Sequence, residues 1–319
     1  MKKIRYGLDH STSKHLRMSN LKLFHCPLCK SNNNEFISPY PGFFLSCKEL
    51  QQCQSCELIF ANKLPSKSKL DEYYSTGLYY DKLSNPYNSE FIDFSLKLSR
   101  SRLNLIFSKI TFNEKLKMID IGAGNAQLGI ALTEYYDSAD YEAVEPDSAI
   151  RNKYGNWVKN NYPDIIDVNI ADYDIAVMNQ VLEHMQDPVS FLESVYRLLK
   201  PEGYVYIDVP YKDYLYKPSI EPHILFWNPK SMSLLLAKTG FTMIFCDTVG
   251  MPHKQAKRFF NQQSIIQKAR NPWLYKEKIN RLMKNIGVSQ IFDVFRQFEA
   301  DQYGGNRQWL RCLAQKTVL

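Results

Sequence analysis

Three groups of side chains in this sequence are spaced for chemistry. Cys26-Pro-Leu-Cys29 and Cys53-Gln-Ser-Cys56 are two CxxC pairs. Four thiolates in two such knuckles match a tetrahedral structural zinc site. A closed four-cysteine site has no open position for catalysis, so its expected work is to fold a segment with little core of its own. A redox pair or metal-free thiols are the alternatives, and neither pair stands in the βαβ context a redox CxxC favours. Cys47 and His25 lie close enough in sequence to substitute as ligands. The second group is Asp120, Gly122, Gly124 and Asn125, with Glu145 following 21 residues after Gly124. The third is a pair among six histidines, His184 and His223, each beside a run that reads as a strand end. Histidine titrates in the range a general base needs. Tyr211 and Tyr214 are weaker candidates for that work.

The second group calls for a nucleotide-type cofactor. Met118 to Leu132 reads MIDIGAGNAQLGIAL: a short apolar strand, a glycine turn and a helix-like segment in that order. The glycines permit a sharp turn and close approach of a ligand. N–H groups at the helix start can bind a carboxylate or phosphate. An NAD-type fingerprint wants a third glycine at position 127, where this chain has Gln127. Asp120 on the strand would repel a pyrophosphate but suits an ammonium group. Glu145 can accept both hydroxyls of a ribose. An amine, a carboxylate and a free ribose without pyrophosphate describe S-adenosylmethionine.

The surrounding pattern supplies the elements that must hold these residues. Leu58 to Ala61 is apolar and Ser66 to Tyr74 helical, followed by an aromatic stretch containing Tyr79 and Tyr80. Ser89 to Phe107 has helical apolar spacing. Tyr141 to Val144 reads as a second strand and Ser148 to Val158 as a helix. Residues 159–173 are poorly patterned, and no third strand can be placed there; Asp164, Asp167 and Asn169 are candidates to meet an adenine. Tyr173 to His184 (YDIAVMNQVLEH) holds a fourth strand over Ile175 to Met178, ending at Asn179 and Gln180. Asp187 caps a helix whose first turn takes Pro188. Its expected buried stripe is Phe191, Val195 and Leu198 or Leu199. Tyr204 to Val209 is a fifth strand, Pro229 to Lys238 a helix stopped by Gly240, and Phe241 to Thr248 a sixth strand. Gln308 to Lys316 fits a last, antiparallel strand.

In these motifs the chain resembles the class I SAM-dependent methyltransferases. It is most similar to the branch with an N-terminal four-cysteine zinc-binding segment, which includes sugar and small-molecule methyltransferases. The likeness runs over roughly residues 26 to 250, through the glycine loop, Glu145 and Leu182-Glu183-His184 with Asp187-Pro188, and resumes at the C-terminal strand. It implies an α/β fold: a Rossmann-like seven-stranded sheet with helices on both faces, a small N-terminal zinc-binding module and a helical insertion before the last strand. The implied organisation is an arm and zinc module over 1–62, a helical connector or lid over 63–112, and the SAM-binding domain over 113–319, with the insertion at 251–303. It also implies that Tyr80 closes over the cofactor. Asp120, Gly122, Gly124, Asn125, Glu145, Asn179 and Gln180 would then line the cofactor site, His184 or His223 would be the base, and Cys26, Cys29, Cys53 and Cys56 would hold zinc.

Composition is ordinary for a globular protein, 45% hydrophobic and 23% charged over 319 residues. No apolar run approaches a membrane span, and the basic N-terminus lacks the apolar core of a secretory signal. A cytoplasmic protein is therefore expected. The net charge of +7 is uneven. Residues 1–25 carry six Lys/Arg against one acid and residues 251–319 thirteen against four, which leaves 26–250 at −7. Basic ends favour an anionic acceptor, although solvated helix faces account for the charge as well. The expected function is methylation of a small anionic or sugar-type acceptor, a nucleotide-linked sugar or glycan intermediate. The sugar C-methyltransferases of that branch carry a larger C-terminal domain than this chain has, so O- and N-methylation stay open. An RNA methyltransferase is the second reading, although Asn179-Gln-Val-Leu182 is not the Asn-Pro-Pro-Tyr that base-amine methylation favours. A zinc-stapled scaffold without turnover is the third, and Asp120, Gly122, Gly124 and Glu145 argue against it.

Overall fold

The computed structural model describes residues 24–42, 44–76, 89–112, 115–136, 138–169, 171–258, 260–261 and 301–317. The N-terminal arm, Tyr79 and Tyr80, and most of the 251–303 insertion lie outside the described residues.

The first described elements form a small sheet. Asn34–Pro39 (β1), Glu49–Cys53 (β2) and Ile59–Ala61 (β3) form an antiparallel meander. Lys67–Ser75 (α1) and Ser89–Lys109 (α2) follow. The large sheet starts at Lys117–Ile121 (β4). Gln127–Leu132 (α3), Asp140–Val144 (β5), Ser148–Arg151 (α4), Asn160–Tyr162 (β6) and Tyr173–Asn179 (β7) come next. Pro188–Leu198 (α5) leads directly into Leu199–Pro210 (β8). The two-residue strand Leu225–Phe226 (β9), Pro229–Lys238 (α6), Phe241–Pro252 (β10) and Arg307–Lys316 (β11) follow.

The large sheet has seven strands in the order β10-β11-β8-β7-β4-β5-β6. β8, β7, β4, β5 and β6 are parallel neighbours, and β11 runs antiparallel between β8 and β10. This is the Rossmann-like α/β methyltransferase fold that the sequence predicts. Side chains alternate strictly across it, as the pleat requires. Met118, Ile175 and Val177 join one core with Leu103, Ile106, Leu128 and Leu132 of α2 and α3. Ile119, Ile121, Ala176 and Met178 join the other with Leu192, Val195, Leu235 and Leu236 of α5 and α6. Largely apolar strands covered on both faces are what a parallel sheet demands. Strand order reverses around β4, which makes the carboxyl ends of β4, β5 and β7 the natural ligand edge.

Three local expectations need correction. Ser148 to Val158 is not one helix: α4 ends at Arg151 and turns follow, through a segment containing Asn152, Gly155 and Asn156. The third strand exists as Asn160–Tyr162, three residues on the sheet edge with an exposed, polar sequence that carries no apolar alternation. On α5 the buried stripe is Leu192, Val195 and Leu198, and Phe191 is only partly buried. α5 itself starts as expected, with Asp187 accepting from Ser190 N at 3.3 Å and Pro188 in the first turn.

The small sheet is not self-contained. Its fourth strand is β9, which pairs with β3 through Ile59–Phe226 and Phe60–Leu225. Its buried residues, Leu28, Leu50, Leu58 and Phe60, belong to the same core as Ile119 and Met178. Tyr40 Oη donates to the His223 carbonyl at 2.9 Å, so the N-terminal sheet reaches one of the predicted site residues directly. Elsewhere, Cys246 and Cys312 stand opposite each other across β10 and β11 and are joined by a disulfide.

Candidate active site

The glycine loop is closed on itself. Gly122 (φ +73°), Gly124 (φ +53°) and Ala126 (φ +54°) all take left-handed backbone. Gly122 N and Ala123 N donate to Val144 O at 2.8 and 3.0 Å, and Gly124 N donates to Glu145 Oε2 at 3.0 Å. Two of these N–H groups thus pair with the β5 backbone and the third with the Glu145 carboxylate. Gly122 has a second reason to be glycine. A Cβ there would stand 2.5 Å from Cγ2 of Val181, two residues before Glu183. The loop after β7 thus packs directly against the loop after β4.

Glu145 sits at the end of β5, nearly buried, and its Oε1 accepts from Asp147 N at 3.0 Å. Asp120 is 2% exposed and accepts from Tyr141 Oη at 2.6 Å through Oδ2; Oδ1 has no hydrogen-bond partner among the described residues. Burial pushes its carboxyl up to about 7, against the opposing pull of the Tyr141 hydroxyl and of Arg102. Gln180 (φ +59°) turns its amide to Asp208, donating to Oδ1 at 3.0 Å. Asn179 ends β7 beside it, with Oδ1 buried and without a hydrogen-bond partner among the described residues. Asn125 lies in the glycine loop, half-buried.

The two candidate histidines are not alternatives at separate places. Their rings lie 5.1 Å apart. Glu183 and His184 occupy a 3-10 turn (Leu182–His184) after β7, and His223 approaches from the segment before β9. The backbone ties the two segments together through Ile224 N to Glu183 O at 2.9 Å. Glu183 Oε1 lies 3.8 Å from His184 Nε2. All three side chains are buried, at 1%, 7% and 9% exposure. Tyr74 of α1 packs on His184 at 5.4 Å between ring centroids.

Sequence reasoning missed two acids at this place. Asp213, fully buried in a 3-10 turn after β8, meets His223 Nδ1 at 2.8 Å and Lys217 Nζ at 3.1 Å. Glu183 has neither carboxylate oxygen hydrogen-bonded among the described residues. Burial pushes Glu183 well above the usual carboxylate range and both histidines below the usual imidazole range. Burial pulls Asp213 upward too, but Lys217 and His223 outweigh it and hold it below the carboxylate range. Glu183 stood in the Leu182-Glu183-His184 run that carries the resemblance, whereas Asp213 had no sequence signal.

Behind this edge, Asp208 Oδ2 accepts from Arg102 Nε at 2.9 Å and from Arg311 Nε at 3.0 Å. Arg311 Nη1 donates to Ser101 Oγ at 2.8 Å. The network pins α2, β8 and β11 around a carboxylate with no solvent exposure.

The four cysteines of the first motif converge as the spacing predicts. Cys26 and Cys56 Sγ are 3.5 Å apart, Cys29 and Cys53 Sγ 3.4 Å, and all four sulfurs lie within 4.8 Å of one another. A tetrahedral zinc with bonds of about 2.3 Å separates its sulfurs by about 3.8 Å, so the donors fit. Cys47 stands apart, buried, with its thiol pushed up to about 12 chiefly by that burial. His25 is exposed, with Nδ1 on the Lys30 carbonyl. Neither is in the cluster.

Residues 93–245 match a family model described as a methyltransferase domain. Those residues carry an S-adenosylmethionine-dependent methyltransferase domain. Among curated relatives, the methyltransferase is 24% identical over 218 residues to the ubiquinone biosynthesis O-methyltransferase of Rickettsia canadensis, covering 63% of this chain and 90% of that protein. It is 26% identical over 167 residues to the protein of the same name from Rickettsia bellii, covering 48% and 70%. Among solved structures it is similar to an O-methyltransferase from a trans-AT polyketide synthase multienzyme of Brevibacillus brevis, bound to S-adenosylhomocysteine. That match has a TM-score of 0.47 and 15% identity, over 73% of this chain and 77% of the other. Phosphoethanolamine N-methyltransferase 2 of Haemonchus contortus matches with a TM-score of 0.46 and 15% identity, over 82% and 62%. Neither structural likeness is close enough to carry an acceptor over to this methyltransferase. No helix among the described residues is long and apolar enough to cross a membrane.

Proposed function

We propose that this enzyme methylates a hydroxyl of a small, anionic acceptor, and that the hydroxyl proton leaves through the Glu183–His184–His223 cluster. The observation that carries this reading is the placement of that cluster. It lies on loops after β7 and β8, and Val181 packs the first of these loops against Gly122. The names of the curated relatives support oxygen as the methylated atom. The cofactor supplies an electrophilic methyl carbon on a sulfonium; the protein supplies alignment and deprotonation. In this reading Glu145 accepts the ribose hydroxyls. Asp120 faces the amine, and Asn125, Asn179 and Gln180 line the same edge. Tyr80, which the resemblance sets over the cofactor, lies outside the described residues. Asp213 orients His223 by taking Nδ1, which leaves Nε2 for the acceptor side. We also assign Cys26, Cys29, Cys53 and Cys56 to a structural zinc, which holds the small sheet in the position from which Tyr40 reaches His223.

The test is methyl transfer from isotopically labelled S-adenosylmethionine to a panel of acceptors. Phenolic acids, nucleotide sugars and RNA should be compared at the same concentration. The reading expects label on a hydroxyl of an anionic small molecule and its loss in His223→Ala. Label confined to RNA, or to a nitrogen or carbon atom, would contradict it.

A further inference from the structure

We propose that Glu183, His184 and His223 form a second metal site, for a divalent transition ion such as zinc. The inference deepens the proposed function: the cluster that receives the acceptor hydroxyl would do so by coordinating its oxygen. One carboxylate and two imidazoles suit zinc, iron or nickel rather than magnesium or calcium. Three protein ligands leave a position open, which distinguishes such a site from the closed four-cysteine set.

The donor atoms all lie within 4.8 Å of one another. Bonds of about 2.0 Å to a tetrahedral ion place ligand atoms about 3.3 Å apart, so small side-chain rotations close the site. The Glu183–His184 pair is at 3.8 Å already. Glu183 is the strongest pointer. Its carboxylate is 1% exposed and neither oxygen has a hydrogen-bond partner among the described residues, although buried polar groups are nearly always satisfied. His223 supplies independent support. Its Nδ1 meets the fully buried Asp213 carboxylate at 2.8 Å, which fixes the ring and leaves Nε2 to bind. A carboxylate behind a ligating histidine is the arrangement that orients metal-binding imidazoles. Lys217 meets the same Asp213 oxygen at 3.1 Å and balances its charge, so the ion's own charge is met by Glu183. The ligands come from two segments tied together by the Ile224–Glu183 backbone bond, so the site is framed before any ion arrives.

An ion here would bind the acceptor hydroxyl and lower its pKa. The proton leaves past the cluster to solvent, the oxygen attacks the methyl carbon, and the carbon–sulfur bond breaks with its electron pair going to sulfur. Products are the methyl ether and the neutral thioether, with no change in the metal.

The experiment is metal stoichiometry of the full chain by plasma mass spectrometry after zinc loading and dialysis. Wild type, Glu183→Gln and Asp213→Asn are compared, with S-adenosylmethionine binding measured on the same samples. Gln fills the space of Glu183 without its charge, and Asp213→Asn leaves all three ligands in place. The proposal expects two zinc ions per chain in wild type and one in Glu183→Gln. In Asp213→Asn it expects affinity for the second ion to fall about 10- to 100-fold. One ion in wild type, or two in Glu183→Gln, would overturn it. If wild type holds one ion yet still transfers methyl groups through His223, the metal site is refuted and the proposed function stands. If the second ion is present but no cofactor binds, the site stands and the proposed function falls.

Discussion

Replacing Asp120 by Asn should stabilise the protein and weaken its cofactor site at once. The carboxyl is 2% exposed, and burial lifts it from 3.8 to about 7. An acid whose folded pKa is raised binds more protons folded than unfolded between those two values. Its fold is therefore favoured below pH 3.8 and loses stability as pH rises towards 7. At about 1.36 kcal/mol for each pH unit of that interval, the charged form costs about 4 kcal/mol above pH 7. At pH 5 the same linkage leaves only about 1.6 kcal/mol of that cost. Asn keeps the shape and can still accept from the Tyr141 hydroxyl, but it never ionises. The advantage of Asp120→Asn over wild type should then grow by roughly 2–3 kcal/mol from pH 5 to pH 8. Urea denaturation of both proteins, without cofactor, at the two pH values measures it. An advantage that is the same at pH 5 and pH 8 would refute the reasoning, because only titration of this carboxyl produces the difference. The cofactor amine should reverse the sign. Binding of S-adenosylmethionine should tighten in wild type as pH rises through 7, and the dependence should vanish in Asp120→Asn.

Other perturbations have equally definite outcomes. Asp208→Ala leaves two guanidinium groups facing a hole where Arg311 has no solvent access, and should cost about 3–5 kcal/mol in chemical denaturation. Gly122→Ala brings a Cβ to 2.5 Å from Val181 on backbone at φ +73°, and should lower stability by about 1–3 kcal/mol and displace the Glu183 segment, seen as lost methyl transfer. Removing zinc with a strong chelator should release four titratable thiols and lower the melting temperature. Cys56→Ser should do the same without chelator, and thiol counts unchanged by chelation would contradict the four-cysteine zinc assignment.

The sheet was readable from the sequence where its strands are buried on both faces. β4 and β7 are nearly continuous apolar runs, and the glycine turn after β4 has few structural uses other than this one. β6 was not readable, because an edge strand of three polar residues has no apolar face to repeat. The break after Arg151 was hidden for the opposite reason, since Ile150, Tyr154 and Val158 keep a helical spacing through turns. At the site, His184 and His223 could be placed one by one at strand ends, but not against each other. Their meeting depends on β9, two residues that pair with β3 from a distant part of the chain. Asp213 was invisible because a loop acid has no periodicity to mark it as buried. Asp208 and Arg311 were similarly hidden as single polar residues in apolar strands, since neither pattern tells that they pair.

In the proposed function the edge formed by the Gly122–Gly124 loop and Glu145 binds S-adenosylmethionine. Isothermal calorimetry of zinc-loaded wild type with S-adenosylmethionine and S-adenosylhomocysteine, beside Glu145→Ala, tests it most directly. Wild type should bind both ligands, and the variant should lose at least tenfold affinity for both, worth about 1.4 kcal/mol or more. Equal affinity in wild type and Glu145→Ala would contradict it.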